Sequence, residues 1–546
     1  MRVSALVLEF LRQSGVDCIF GIPAGSVNAL FDDLNDCPDI RPIVVKHEGA
    51  AGYMAAAYAK ATGRLGVCIG SSGPGATNLL TGAANAMREQ QPVLFLTGHV
   101  PLPTQGRNAS QELDASPAFA AVTKWSRLAR SATEIAALLD EAVATALGGV
   151  PGPVHLALPI DVQLSSAVTA TATGRQRPAV GPGAAGNVAD ALPILQRATQ
   201  GLIFAGQGAR TASASVVALS RRLGWPIVCS AQAKGLFADD TPNFLGVYGF
   251  AGDEVCMEYV RAHATGVLLI VGSSLGETAT SNYDAALAGA RTVIHLDRDA
   301  GVFGRVYRCD VPLLGDAQAT LAELLARLPQ GELLQRPSDW PERKRVQMAD
   351  APFGTSEVLL HLQHMVSPET RYTVDIGEFM AWVIHDMPVV RPDTYEINVH
   401  FGPMGSGIAS ALGFALGDPG RPIVSLTGDG CFFMHGMELL TAREHDLDIL
   451  FVVFNNARLG MVHQGHQLQY GRVHSCFSQR PVDLSEVARA MDVASLRLTS
   501  REELYRESFR EFVQRSGPRL LEVAMVDPNA PPMGDRVKFL SSFGGE

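Results

Sequence analysis

Short apolar runs alternate along this chain with longer stretches of helical character. The first third reads RPIVVKHE, then the alanine-rich GAAGYMAAAYAKATG, then LGVCIG, the turn SSGPGATN and PVLFLTG. The middle third carries GLIFAGQG, WPIVCS, VLLIVGSS and RTVIHLD; the last carries RYTVDIG, RPIVSLTGDG, DILFVVFNN and PRLLEVAM. Apolar runs of this length, bounded by Gly, Asn and Asp, predict strands buried on both faces, with helices between them. Such alternation predicts α/β domains on doubly wound parallel sheets, three of them with broadly similar architecture. Two stretches break the pattern. QLSSAVTATATGRQRPAVGPGAAG (163–186) and LPQGELLQRPSDWPERKR (328–345) are rich in Pro and in small or polar residues, and predict linkers. They separate domains at 1–162, 187–327 and 346–546.

Composition narrows the class without naming a chemistry. The chain has 546 residues, 47% apolar and 18% charged, with a net charge of −11. There is no basic stripe to suit nucleic acid. The eight cysteines include no C-x-x-C pair and read as reduced thiols. No apolar run reaches the ~20 residues of a membrane span, and the amphipathic start MRVSALVLEFLRQSG lacks a signal pattern. The expectation is a cytoplasmic protein with no membrane or nucleic-acid partner.

The last third holds the first candidate chemistry. SLTGDG ends a strand on Asp429 between Gly428 and Gly430, and DILFVVFNN ends the next strand on Asn455 and Asn456. A right-handed crossover would put both strands in one parallel sheet with their carboxyl ends on one edge, where open α/β sheets bind ligands. A carboxylate, an amide oxygen and a helix N-terminus suit a hard divalent cation bridging phosphates. G-D-G alone would equally suit a helix cap; its spacing from the Asn pair favours the metal.

GDG followed some 25 residues later by NN resembles the signature of thiamine diphosphate enzymes, and NNARLGMVHQ (455–464) resembles their acetolactate-synthase-like branch. The resemblance spans essentially the whole chain. It implies pyrimidine-binding, central and diphosphate-binding domains, with Mg²⁺ held by Asp429, the Asn456 side chain and the Arg458 carbonyl. PIVVKHEGAAGYMAAAYAKATG (42–63) resembles the catalytic-glutamate segment and implies Glu48 as the acid that activates the cofactor. GRNASQELD (106–114) implies Gln111 near the reacting carbon. GIPAGSVNALFDDL (21–34), SSGPGATN (71–78) and HFGPMGSGIASALGFALG (400–417) complete the likeness. Cofactor contacts implied in this way are Pro23, Gly25, Asn78, Gly402, Met404 as the wedge bending the cofactor, Gly428, Asp429, Gly430, Cys431, Asn456, Gly460 and Met461. Family sites form between subunits, which implies at least a homodimer, extending to a homotetramer.

Departures from the family bear on substrate. Acetolactate synthases carry an arginine, implicated in flavin contact and in holding the acceptor's carboxylate, where VGSSLGETATSNYD (271–284) has Thr278. Threonine cannot replace a bidentate clamp, which argues against FAD and against a 2-oxo acid acceptor. Ser110 and Gly465 stand where the branch has an aromatic residue and a tryptophan, implying a roomier pocket. Glu378-Phe379 replaces a Gln-His-like pair, and a carboxylate beside phosphates would repel them unless it points elsewhere. His99, His400 and His463 are candidate pocket residues for proton relay. The expected activity is decarboxylation of a 2-oxo acid, by default pyruvate, and acyl transfer to an aldehyde or ketone acceptor. Alternatives are acetolactate synthase proper, a decarboxylase or C–C lyase, a flavin-dependent oxidase, and a silent cofactor-binding homologue.

Overall fold

The computed structural model describes residues 1–167, 183–329, 340, 353–527 and 529–533. Most of both expected linkers, 163–186 and 328–345, and residues 528 and 534–546 lie outside those residues. Each described third is built around a six-stranded parallel sheet.

The N-terminal sheet contains β1 (Cys18–Gly21), β2 (Arg41–Val44), β3 (Gly66–Gly70), β4 (Val93–His99), β5 (Ser126–Leu128) and β6 (Val154–Pro159). The central one contains β7 (Gly201–Ala205), β8 (Ile227–Ser230), β9 (Phe244–Tyr248), β10 (Val267–Val271), β11 (Thr292–Asp297) and β12 (Val311–Leu314). The C-terminal one contains β13 (Arg371–Val374), β14 (Tyr395–Ile397), β15 (Ile423–Gly428), β16 (Ile449–Asn455), β17 (Ala494–Leu498) and β18 (Arg519–Ala524). All the strand pairs are parallel.

The three sheets are less alike than the sequence pattern suggests. The outer two share the order β2-β1-β3-β4-β6-β5 and β14-β13-β15-β16-β18-β17, whereas the central sheet runs β12-β11-β10-β7-β8-β9. Strand order follows from which edge each crossover returns to, and apolar periodicity carries no trace of that choice. The order sets where each sheet opens a ligand crevice: between β1 and β3, between β13 and β15, and between β7 and β10.

The alanine-rich helix Glu48–Thr62 explains how the outer domains meet. It is buried on nearly every side from Gly49 to Ala59, as expected of a helix apolar all round. One side packs on its own sheet and another on helix Ser406–Gly417 of the C-terminal domain, within one continuous core that includes Met54, Tyr58, Ile408 and Leu412. Small residues permit the approach. A Cβ on Gly52 would lie 2.8 Å from the backbone of Gly82, and one on Gly413 would overlap the carbonyl oxygen of Met54.

Candidate functional site

At the β13/β15 crevice the first group is Asp429, which opens helix Asp429–His435 directly after β15. β15 pairs with β16 in the register Gly428↔Phe454, so Asp429 and the Asn pair share one edge. Asp429 is only 4% exposed. Its Oδ1 accepts from the Gly430 N–H at 2.7 Å, while its buried Oδ2 meets no donor in bonding geometry. Burial pushes the carboxyl above its ordinary value, and the backbone N–H groups of Gly430, Ala457, Arg458 and Asn456 pull it back. A buried, half-satisfied carboxylate oxygen is costly unless something binds it.

The two asparagines divide their work. Asn455 Nδ2 donates to the Val482 carbonyl at 2.8 Å and to Glu522 Oε1 at 2.7 Å, so its amide braces the sheet edge. Asn456 faces the crevice: its Oδ1 accepts from the Arg458 N–H at 3.1 Å and its Nδ2 donates to Glu378 Oε1. Glu378 opens helix Glu378–Asp386 after β13, and its carboxylate lies against Gly460, where any Cβ would collide with it. Burial raises the Glu378 carboxyl, and the Arg458 guanidinium, 3.7 Å away, opposes the rise.

Asp375 is a participant that sequence reasoning missed. Fully buried at the end of β13, it accepts from Ile376 N–H at 3.1 Å, Gly405 N–H at 2.9 Å and the Thr427 hydroxyl at 3.1 Å. Burial pushes it up to about 6 against those three hydrogen bonds. Through Gly405 it anchors the turn carrying Met404. That turn needs glycine, since Gly405 has φ +84° and a Cβ there would lie 2.6 Å from His435 Cδ2. Met404 reaches over Gly430, its methyl group 3.0 Å from the position of a Gly430 Cβ. Gly402 adjoins this turn, and Cys431 is buried beneath it, its thiol donating to the Ile376 carbonyl at 3.0 Å. Met461 packs on the core from the first turn of helix Gly460–Tyr470. A strand-end acid in RYTVDIG was the available signal for Asp375.

The β1/β3 crevice holds the second group. Glu48 begins its helix behind an N-cap made by His47, whose Nδ1 accepts from Gly49 N–H at 3.0 Å. Asn78 Nδ2 donates to Glu48 Oε2 at 3.0 Å, and Glu48 Oε1 faces the Gly75 turn. The Gln111 loop closes on that turn: Ser72 Oγ donates to the Gln111 carbonyl at 2.7 Å, and Gln111 takes a left-handed φ of 61°. Ser110 and the Gln111 side chain are exposed, as are Pro23 and Gly25 after β1. Buried His99 ends β4, with Nδ1 against the Val100 carbonyl and Nε2 without a partner.

Within one chain, the residues just before Glu48 meet the far end of the Asp429 helix and the start of the helix after it. The N–H groups of Lys46 and His47 donate to Glu438 Oε1 at 2.9 and 3.1 Å, and the His47 and His435 rings lie 5.4 Å apart. Burial and His47 push His435 down to about 4.

Among the cavities that involve the central domain, two bear on the candidate residues. One, about 170 Å³, is lined by Phe250, Glu254, Met257, Glu277, Thr278 and Met533 among others. Met533 also covers the gap at Gly465, whose Cβ would lie 4.0 Å from its methyl group; His463 is part-exposed on the same helix. The other, about 290 Å³, sits at the β7/β10 crevice and includes Gln207, Gly208, Gly272 and Arg298. His400 faces this second cavity, 2.7 Å from an Arg88 nitrogen and pushed down to about 4 by burial and then by Arg88 and Arg305. The structure therefore separates His400 from the Met404 turn.

Comparison with known proteins decides what these crevices belong to. Family profiles described as "Thiamine pyrophosphate enzyme" match three times: the N-terminal TPP binding domain over residues 1–118, the central domain over 188–324 and the C-terminal TPP binding domain over 375–523. The chain is a thiamine pyrophosphate enzyme. Among curated relatives of this enzyme is a probable acetolactate synthase large subunit of Methanocaldococcus jannaschii, 31% identical over 98% of this chain and 93% of that one. The acetolactate synthase isozyme 2 large subunit of Escherichia coli is 31% identical over the full length of both, and isozyme 1 is 28% identical over 96% and 95%. The enzyme thus sits in the acetolactate-synthase-like branch. Among its described residues no helix is long and apolar enough to cross a membrane, and no cluster of three His, Cys, Asp or Glu could hold a metal.

Proposed function

We propose that this enzyme is a Mg²⁺-dependent 2-oxo acid decarboxylase and carboligase that passes the acyl unit, from pyruvate by default, to a neutral aldehyde or ketone, giving an acyloin. The observation that carries the reading is the buried, unpartnered Oδ2 of Asp429 beside Asn456 on the edge shared by β15 and β16. With few protein carboxylates, the donor set suits a hard cation whose remaining ligands come from a diphosphate. Asp429, Asn456 and the Arg458 carbonyl would hold it. Thiamine diphosphate supplies a carbon nucleophile and an electron sink for decarboxylation.

The chain's own groups do the rest. Glu48, oriented by Asn78, would hold the cofactor through a hydrogen bond from its carboxyl group and supply the acid that proton transfer there requires. Met404, reaching over Gly430, would stand against the bound cofactor and restrict how it lies. Gln111 orients the substrate from a loop braced on the Ser72 hydroxyl. A neutral acceptor is supported by Thr278, which offers no bidentate clamp for a carboxylate; it lines both the smaller cavity, beside Glu254 and Glu277, and the larger one, where Arg88, Arg210 and Arg298 stand. This reading contains no flavin step.

Two observations support a site shared between subunits. His47, next to Glu48, lies against His435 at the far end of its own Asp429 helix, the rings 5.4 Å apart, rather than at the Asp429 end. Phe433, Met434, Met437 and Leu440 leave an apolar strip exposed on and after that helix.

Acetolactate synthase proper is the second reading, favoured by the names of the relatives. Both readings are tested by CO₂ release from pyruvate with thiamine diphosphate and Mg²⁺, with products identified by mass spectrometry. Wild type is expected to release CO₂ and, given a neutral aldehyde, to form the mixed acyloin; Glu48→Gln is expected to lose at least a hundredfold in rate. Acetolactate as sole product would select the second reading. Release undiminished in E48Q would remove Glu48 from the chemistry.

A further inference from the structure

Glu378 remains unexplained by the reaction. It follows β13 as Asp429 follows β15, so the two carboxylates flank one crevice. Its Oε1 takes the Asn456 amide N–H, and its Oε2 is buried without a partner, as is Asp429 Oδ2. Arg458 does not close a hydrogen-bonded pair with it: the nearest nitrogen is 3.7 Å away, and Nε and that Nη2 are themselves buried without acceptors. Glu378 is thus held against a candidate metal ligand, with one oxygen still open.

We propose that Glu378 is a positioning and charge-setting residue that makes the metal bind first, loading the site with a divalent cation before the diphosphate and making cofactor binding strictly metal-dependent. The inference rests on the Mg²⁺ reading above. With glutamate at 378, the formal charges of Asp429, Glu378, Arg458 and the nearby buried Asp527 leave the crevice two units negative. With glutamine it would be one unit less negative. In a water-poor crevice one unit of charge a few ångströms away decides which ion is tolerated alone. The more negative crevice attracts a bare cation and repels a bare diphosphate; the glutamine variant has less of that bias. By holding Asn456 Nδ2, Glu378 also fixes which face of that amide presents its oxygen, a role glutamine can keep through its own carbonyl oxygen.

The test uses full-length apoprotein and two probes, Mn²⁺ alone followed by electron paramagnetic resonance and thiamine diphosphate alone in chelator followed by calorimetry. Wild type, E378Q, E378A and D429N are compared, with circular dichroism melts confirming that each is folded. Expected results are Mn²⁺ binding by wild type without cofactor, weakened at least tenfold in both Glu378 variants. Cofactor binding in chelator should be immeasurable for wild type and measurable for E378Q. Equal Mn²⁺ affinity in wild type and E378Q, with binding lost in D429N, would overturn the role of Glu378 and leave the metal site standing. Mn²⁺ binding unchanged in D429N would overturn both.

Discussion

Asp375 shows what a single buried group contributes here. Its folded value of about 6 lies above the ordinary aspartate value, so between about pH 4 and 6 the folded protein holds a proton that the unfolded chain has released. Stability therefore falls as pH rises through that window, by up to about 3 kcal/mol for a shift of this size. Asp375→Asn is expected to flatten that slope while keeping acceptors for Ile376 and Gly405. Urea midpoints for both proteins from pH 4 to 7 check this; parallel curves would show that Asp375 stays ionised throughout. Asp375→Ala should cost about 1–3 kcal/mol at neutral pH, because two buried N–H groups lose their acceptor. At this scale the strand-end positions of Glu48, Asp429 and Asn456 were legible from the apolar runs they close, but an acid opening a helix also serves as a cap, so their chemistry was legible only from spacing and family resemblance. Asp375 closes its own run in the same way and went unremarked beside Glu378. Nothing in the letters NN separates Asn455, which braces Glu522, from Asn456, which faces the crevice.

Between elements, the contact of helices Glu48–Thr62 and Ser406–Gly417 holds the Glu48 domain on the Asp429 domain. It depends on missing side chains. Gly413→Ala gains about 1 kcal/mol of helix propensity but must displace Met54 backbone, an overpacking cost of about 1–3 kcal/mol. The expected outcome is a lower melting temperature, read by differential scanning calorimetry; a rise would mean the helices yield freely. Alanine-rich composition made a buried helix readable. Its partner was not, since 413 and 54 are far apart in sequence and periodicity reports only that a face is apolar, not what covers it.

Across the whole molecule, one buried carboxylate ties three domains. Glu396 at β14 accepts from Lys60 of the N-terminal third, Arg210 of the central third and Arg371 of its own. These cations overcome burial and hold it down at about 2. Because that value is depressed, the stabilisation is present above the ordinary glutamate value and is lost as pH falls from about 4.5 towards 2. Glu396→Gln leaves three cations short of a charge and should cost about 3–5 kcal/mol, splitting the calorimetric transition into separate domain steps. A single unshifted transition would show the cluster to be energetically idle. The proposed shared site has its own test at this scale. Mixing E48Q with D429N should restore about a quarter of wild-type activity, because half of randomly assorted dimers are mixed and each carries one intact site; a site within one chain would restore none.

Burial on both faces and strand-end chemistry are local properties, so the order of residues alone shows that the chain forms parallel α/β sheets and which residues stand at their ligand-facing ends. The different strand order of the central sheet, the turning of His400 towards that sheet's cavity and the pressing of Glu378 onto Asn456 emerge only in the folded molecule. Each depends on which edge a crossover returns to and on side chains from distant segments meeting there, and no local pattern of apolar and polar residues encodes such a meeting.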